Sequence, residues 1–165
     1  MPGETENTAA YIAAEIVKQA IGHAGDAIPD RAAENHAIRS RGRLEIPQTW
    51  EWDLDDGVVG HIGQPDAASL DLWYEAVNAD LRYIVPTNHA LLSVVGQESA
   101  GYAGCASARL PSTRIALNKF KKSTFVCVRT GEDRYSEFSI EDLFAPNAEK
   151  PNVLTLVIEY KTWER

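Results

Sequence analysis

The chain has 165 residues, of which 44% are hydrophobic and 24% charged, with a formal net charge of −8. Such values fit one globular domain and exclude a wholly disordered chain. They also argue against nucleic-acid binding through the whole surface, since phosphate contacts need Lys and Arg, and no apolar run is long enough for a bilayer-spanning helix.

Met1 to Asn7 carries Glu4 and Glu6 and no base. A secretory signal opens with basic residues and an apolar stretch, so a cytoplasmic protein is expected. From Thr8 to Ile21 the apolar residues Ile12, Ile16, Val17, Ala20 and Ile21 recur at helical spacing. Asn7 or Thr5 can cap this helix, and Gly22 or Gly25 can stop it. Its remaining surface is rich in alanine: Ala9, Ala10, Ala13 and Ala14. A helix this short is marginal in water unless it packs on something. Ile12, Ile16, Val17 and Ile21 are therefore the candidate partner-binding residues, facing another protein chain or a second copy in a homo-oligomer. Pro29 can start a second short helix over Asp30 to Ser40, or the stretch 26–43 is a linker.

After Arg43 the texture changes to short segments of alternating apolar and polar residues with turn signals between them. Trp50, Trp52 and Leu54 alternate, Asp55-Asp56-Gly57 is a turn, and Val58 and Val59 start a return strand. Leu70, Leu72 and Tyr74 alternate, as do Leu81, Tyr83 and Val85 before Pro86. Residues 90–96 read as a largely buried strand, and Gly101 and Gly104 as part of a loop. Ile115 and Leu117 alternate, though a helical turn fits there too. Residues 123–130 form a strong strand apolar on both sides, followed by a turn at Gly131-Glu132-Asp133 and a hairpin return over 134–140. Residues 152–163 alternate throughout. The expected fold is mainly β, a sandwich or barrel of roughly eight strands with an N-terminal helical segment. The expected organisation is helix and linker over 1–43 and a β-rich domain over 44–165.

Charge is unevenly spread. Residues 31–43 have four Arg against one Glu, whereas residues 44–80 have nine acids and no Lys or Arg. A solvated acidic face explains this, and a docking surface for a basic partner or a cation is the sharper alternative. Asp53, Asp55 and Asp56, with His61 and Asp66 nearby, form the densest acidic site. The calcium-loop pattern fails, because Gln64 stands where the twelfth-position Glu belongs. Strand alternation also sends Asp53 and Asp55 outward. No metal and no cofactor is expected. His23, His36, His61 and His89 are scattered. Lys119, Lys121 and Lys122 make a small basic patch that reads as the polar end of a hairpin. No nucleotide-binding glycine motif is present.

Cys105 and Cys127 read as two buried thiols, or as a strand-to-loop disulfide where the protein meets oxidant; in a cytoplasm they would be reduced. A nucleophilic Cys105 would need a base beside it, which sequence does not show. Trp50, Trp52, Trp73 and Trp163 are core residues or, alternatively, the lining of a ligand pocket.

The stretch from Trp52 to Trp163 resembles a β-rich accessory domain of actinobacterial proteins. The resemblance rests on WDLDDG, DLWYEAV, LRYIVPTNHALLSVVG, SAR after Cys105, VCVRTGEDRYSEF and the final EYKTW. It implies an appended interaction part with no catalytic role. It also implies that Cys105 and Cys127 match cysteines that pair in exported members. The reading that follows is a non-catalytic interaction or accessory domain. The alternatives are a small hydrolase built around Cys105 and a ligand-binding β-barrel.

Overall fold

The computed structural model describes residues 36–61, 69–146 and 153–165. The expected helix over 8–21, with Ile12, Ile16, Val17 and Ile21, lies outside them. Contacts along the chain cluster a compact unit from His36 to Arg165.

The described residues of that unit form two antiparallel five-stranded sheets, so the mainly β expectation holds and the closed barrel gives way to a sandwich-like pair. One sheet has the order β1 (Ile38–Pro47), β10 (Leu154–Trp163), β9 (Tyr135–Pro146), β8 (Phe125–Arg129) and β6 (Leu91–Gly96). The other has the order β3 (Val58–His61), β2 (Trp50–Asp53), β4 (Leu72–Ala76), β5 (Arg82–Pro86) and β7 (Ile115–Ala116). Residues 38–43, expected as the end of a short helix or as linker, are the first six residues of β1. They pair with the end of β10, Ile38 opposite Trp163 and Arg43 opposite Glu159. The sequence hid this because Arg39, Arg41 and Arg43 alternate with Ser40 and Gly42, so the half of β1 that flanks the turn region carries no apolar period.

Alternation sends one side of each strand into the space between the sheets. Val126 and Val128 of β8, Phe138 and Ile140 of β9, and Leu156 and Ile158 of β10 meet Trp52, Leu72, Tyr74 and Ile84 of the other sheet in one buried cluster. Leu70, Leu72 and Tyr74 are buried as their alternation predicted. In β5 the expected face is reversed. Ile84 is fully buried, whereas Leu81 is 46% exposed. The Leu81, Tyr83 and Val85 set is the more apolar, since Arg82 stands in the other, yet pairing decides between them: Ile84 lies opposite Tyr74. The largely buried strand expected at 90–96 is instead an edge among the described strands, paired with β8, and of its residues Leu92 alone is buried.

The expected loop at Gly101 and Gly104 is a helix, α1 (Gly101–Ser107), lying on the outer face of β8 and β9. Ala100 offers no side-chain cap. The cap comes from β9, where Glu137 accepts the Ala100 N–H at 2.7 Å, the Gly101 N–H at 2.9 Å and the Ser99 hydroxyl at 2.5 Å. A carboxylate there satisfies amides that a helix start leaves open.

Because β8 is flanked by two strands and covered on both faces, its amides should exchange about tenfold or more slowly than those of edge strand β6. Mass-resolved hydrogen exchange on the intact protein measures this, and equal rates in the two strands would contradict the assigned strand order.

Candidate functional site

Three polar arrangements stand out. The first lies at one end of the sandwich, where the β2–β3 turn, the approach to β4 and the β8–β9 turn converge. Asp71 is fully buried. One of its oxygens accepts the Leu54 N–H at 2.9 Å and the other the Gly131 N–H at 2.8 Å. Asp53 accepts the Asp55 N–H at 2.7 Å, and Asp55 meets Arg134 at 3.2 Å. Asp53 and Asp55 are 2% and 1% exposed, so the outward placement expected from alternation is corrected. Strand β2 ends at Asp53, and beyond it the chain turns these carboxylates onto backbone amides. Arg134 also pairs with Glu132 and lies 3.6 Å from Glu164. Gly57 closes the turn at a φ of 68°, packed against the Tyr160 ring. Gly131 is required by space: a Cβ there would meet the Asn88 carbonyl oxygen at 2.6 Å.

One oxygen from each of Asp53, Asp55 and Asp71 lies within 4.8 Å of the others. Burial away from water dominates their titration and pushes all three carboxyls above the ordinary range. Asp71, hemmed in also by the charges of Asp55 and Asp53, is pushed up to about 7 despite its two amide bonds. It holds a proton at mildly acidic pH and shares it in a side-chain hydrogen bond with Asp53. Beside the cluster, Ser69, Asn88, His89, Gly131 and Glu132 line a cleft of about 440 Å³.

The second arrangement is the cysteine pair. Cys105 of α1 and Cys127 of β8 form a disulfide, with their Cα atoms 5.2 Å apart and both residues fully buried. Of the two expected alternatives, buried thiols or a disulfide, the structure has the disulfide, with a helix and not a loop at its Cys105 end. The physical reason is register. Cys127 points to the outer face of its sheet directly opposite Glu137, and Glu137 fastens the start of α1, which brings Cys105 over Cys127. Sulfur bonded to sulfur leaves neither cysteine as a nucleophile in this state. Tyr102, Tyr135 and Trp163 pack edge to face around the bond.

The third is a cleft at the other end of the sandwich, of about 540 Å³, lined in part by Gln48, Thr49, Asn78, Arg82 and Leu154. Sequence reasoning missed it, since its polar atoms come from three separate turns and strands with no shared motif.

The remaining sequence candidates do not converge. Trp52 is in the core, Trp163 is on the far side of its sheet beside the disulfide, and Trp73 donates its indole N–H to the Thr49 carbonyl at 3.2 Å. Trp50 lies against His61, with ring centroids 4.7 Å apart. Lys119, Lys121 and Lys122 are exposed around a short 3-10 turn, and Asp66 is outside the described residues. No protein-family model, no curated protein and no solved structure matches this chain.

The raised carboxyls fix a pH dependence. Between the ordinary carboxyl range near 4 and about 7, the folded state binds more protons than the unfolded one, so stability falls as pH rises through that window. Thermal melts from pH 4 to pH 8 should show the midpoint declining, and the decline should be shallower in Asp71→Asn. That variant should also start from a lower midpoint, by about 1–3 kcal/mol of stability, because an amide has one acceptor oxygen for two N–H groups. A slope unchanged by the substitution would place the titrating group elsewhere.

The disulfide closes a loop between residues 22 apart, a constraint of about 3 kcal/mol on the unfolded chain. Urea titrations of the oxidised protein and of the Cys105→Ser/Cys127→Ser variant should differ by that amount. A coincident pair of curves would mean that α1 is held by Glu137 and its aromatic contacts alone.

Proposed function

We propose that this chain is a non-catalytic interaction or accessory module. What supports the reading is where its reactive groups are spent. Cys105 and Cys127 are spent on each other, Glu137 on the amides of α1, and Asp71 on the amides of two turns. Each of these is a structural use, and each ties together elements that the chain order keeps apart. The resemblance to an actinobacterial accessory domain points the same way.

The docking residues in this proposal are Ile12, Ile16, Val17 and Ile21, presented to another protein chain or to a second copy. Among the described residues no helix is long and apolar enough to cross a membrane. The compartment is tied to the cysteine pair: a cytoplasmic chain would hold it as thiols, and an oxidising compartment as the disulfide. Thiol counting on protein trapped with alkylating reagent in its own cell reads the compartment directly.

Ile16→Asp should weaken association by about 2 kcal/mol or more, because it sets an unpaired charge in an apolar contact. Light scattering of the full-length chain across a concentration series measures the assembly, and a melting curve measures the fold. The expected result is a smaller assembly with an unchanged melting midpoint. Identical assembly in both proteins, or a sharply lower midpoint in the variant, would refute this docking surface.

A further inference from the structure

At the end of the sandwich away from the acidic turns, the β1–β2 turn, the β4–β5 turn and the start of β10 enclose the cleft of about 540 Å³. Buried polar atoms in folded proteins normally find partners. Here the Gln48 side-chain carbonyl oxygen and the Arg82 Nε are both buried and have none, and both residues line the cleft. Tyr74, fully buried two residues before Ala76 on the strand that pairs with β5, has an unpartnered hydroxyl as well.

Arg82 is the only cation among the cleft's described lining residues. One of its terminal nitrogens donates to the Ala79 carbonyl, and its guanidinium lies 5.8 Å from the centre of the Phe144 ring. No ion pair within 4.0 Å joins it to a described carboxylate. A half-buried guanidinium without a carboxylate favours an anionic guest, because the site is only partly wetted and the charge is already desolvated. The cleft's described lining is mostly polar or small, and exposed apolar side chains lie close by. Val77, Leu81 and Phe144 are 53%, 46% and 46% exposed, and two of them bracket the β4–β5 turn that carries the cleft wall. Thr49, on the opposite wall, is held at a φ of 76°. A β-branched residue adopts that conformation only under constraint, and such strain gathers where a surface is shaped for use.

We propose that this cleft binds the free carboxyl terminus of a peptide whose last residue is apolar. The carboxylate pairs with the terminal nitrogens of Arg82, the Gln48 side chain turns from its enclosed position to accept the last peptide N–H, and the apolar side chain rests on Phe144, whose ring centre lies 5.8 Å from that guanidinium. The three groups of the guest answer the three unmet features of the site: an open cationic donor, an orphaned acceptor and an exposed apolar rim. The volume lies in the range of small-ligand clefts and suits a few residues rather than a folded partner. The site shares no residue with the proposed contact through Ile16, so the two proposals can fail independently.

The test is a two-dimensional NMR titration of the full-length protein with the tripeptide acetyl-Ala-Ala-Leu as free acid and, in parallel, as its C-terminal amide. The acid should shift the amide signals of Thr49, Ala79, Arg82 and Leu154. The amidated peptide should bind about tenfold or more weakly, because it loses the charged half of a salt-bridged hydrogen bond. Arg82→Gln should weaken the acid by a similar factor, and Gln48→Leu by less. No shift in that signal set at about 10 mM peptide would overturn the proposal. So would equal affinity for acid and amide. Should Arg82→Gln not fold, the acid–amide comparison on wild type still decides, since it changes no residue of the protein.

Discussion

The fold turns on a single buried carboxyl. Asp71 leads into β4 of one sheet, and its two oxygens reach the Leu54 amide in the β2–β3 turn and the Gly131 amide in the β8–β9 turn. The second of these belongs to the other sheet, so the contact fastens the two layers at one end. Leu54, held by its N–H, is held by its carbonyl as well, which accepts the hydroxyls of Ser40 in β1 and Thr162 in β10. Four strand-end segments are thus fixed by one residue and its neighbour. The cost is desolvation of a carboxyl, and the molecule lowers it by letting Asp71 keep its proton and share it with Asp53. The backbone donors offset much of the remainder. Gly131 is part of the same solution, since any side chain there would collide with Asn88 and push its amide away from Asp71.

A second fastening lies on the outer face of the β1–β6 sheet. Glu137 and Cys127 are cross-strand neighbours on that face, and both grip α1. One does so through charge and backbone amides, the other through a covalent bond. A seven-residue helix has no independent stability. It exists because β8 and β9 supply its cap, its tether and, with Tyr135 and Trp163, its apolar floor.

These two fastenings mark the limit of what the sequence discloses. Strands with one clear apolar side, such as 50–53, 72–76 and 154–163, were legible, because alternation and burial express the same constraint. The central place of 125–129 was legible for a related reason: Val126 and Val128 serve one apolar layer while Cys127 serves another. Where both sides of a segment carry apolar residues, as in 82–86, or neither carries a clear apolar period, as in 38–43, pairing chooses the face, and pairing is non-local. The helix at 101–107 has the sequence signals of a loop because its cap stands 36 residues away in sequence from Gly101. Asp53 and Asp55 were sent outward by a rule for continuing strands, when the strand stops at the first of them. The cleft at Gln48 and Arg82 left no sequence signal, since an unmet hydrogen bond is a property of the assembled structure alone.

The contrast between the two ends of the sandwich carries the functional argument further than any motif does. At the Asp71 end, charged groups are numerous, yet they answer one another: carboxylates meet amides, Arg134 meets Asp55 and Glu132, and Arg39 meets Asp56. Most of these groups are engaged with one another, while one Asp55 oxygen and the Arg134 Nε are buried there without a hydrogen-bond partner. At the Gln48 end there are fewer polar groups, but a donor and an acceptor are buried without partners beside an apolar rim. A buried polar atom without a partner costs about 1–3 kcal/mol. Buried atoms without a hydrogen-bond partner occur at both ends, so what distinguishes the Gln48 end is that Gln48 and Arg82 line an open cleft and that Arg82 meets no described carboxylate. A guanidinium without a described ion-pair partner, lining an open cleft, is the physical ground for looking there for what this protein recognises.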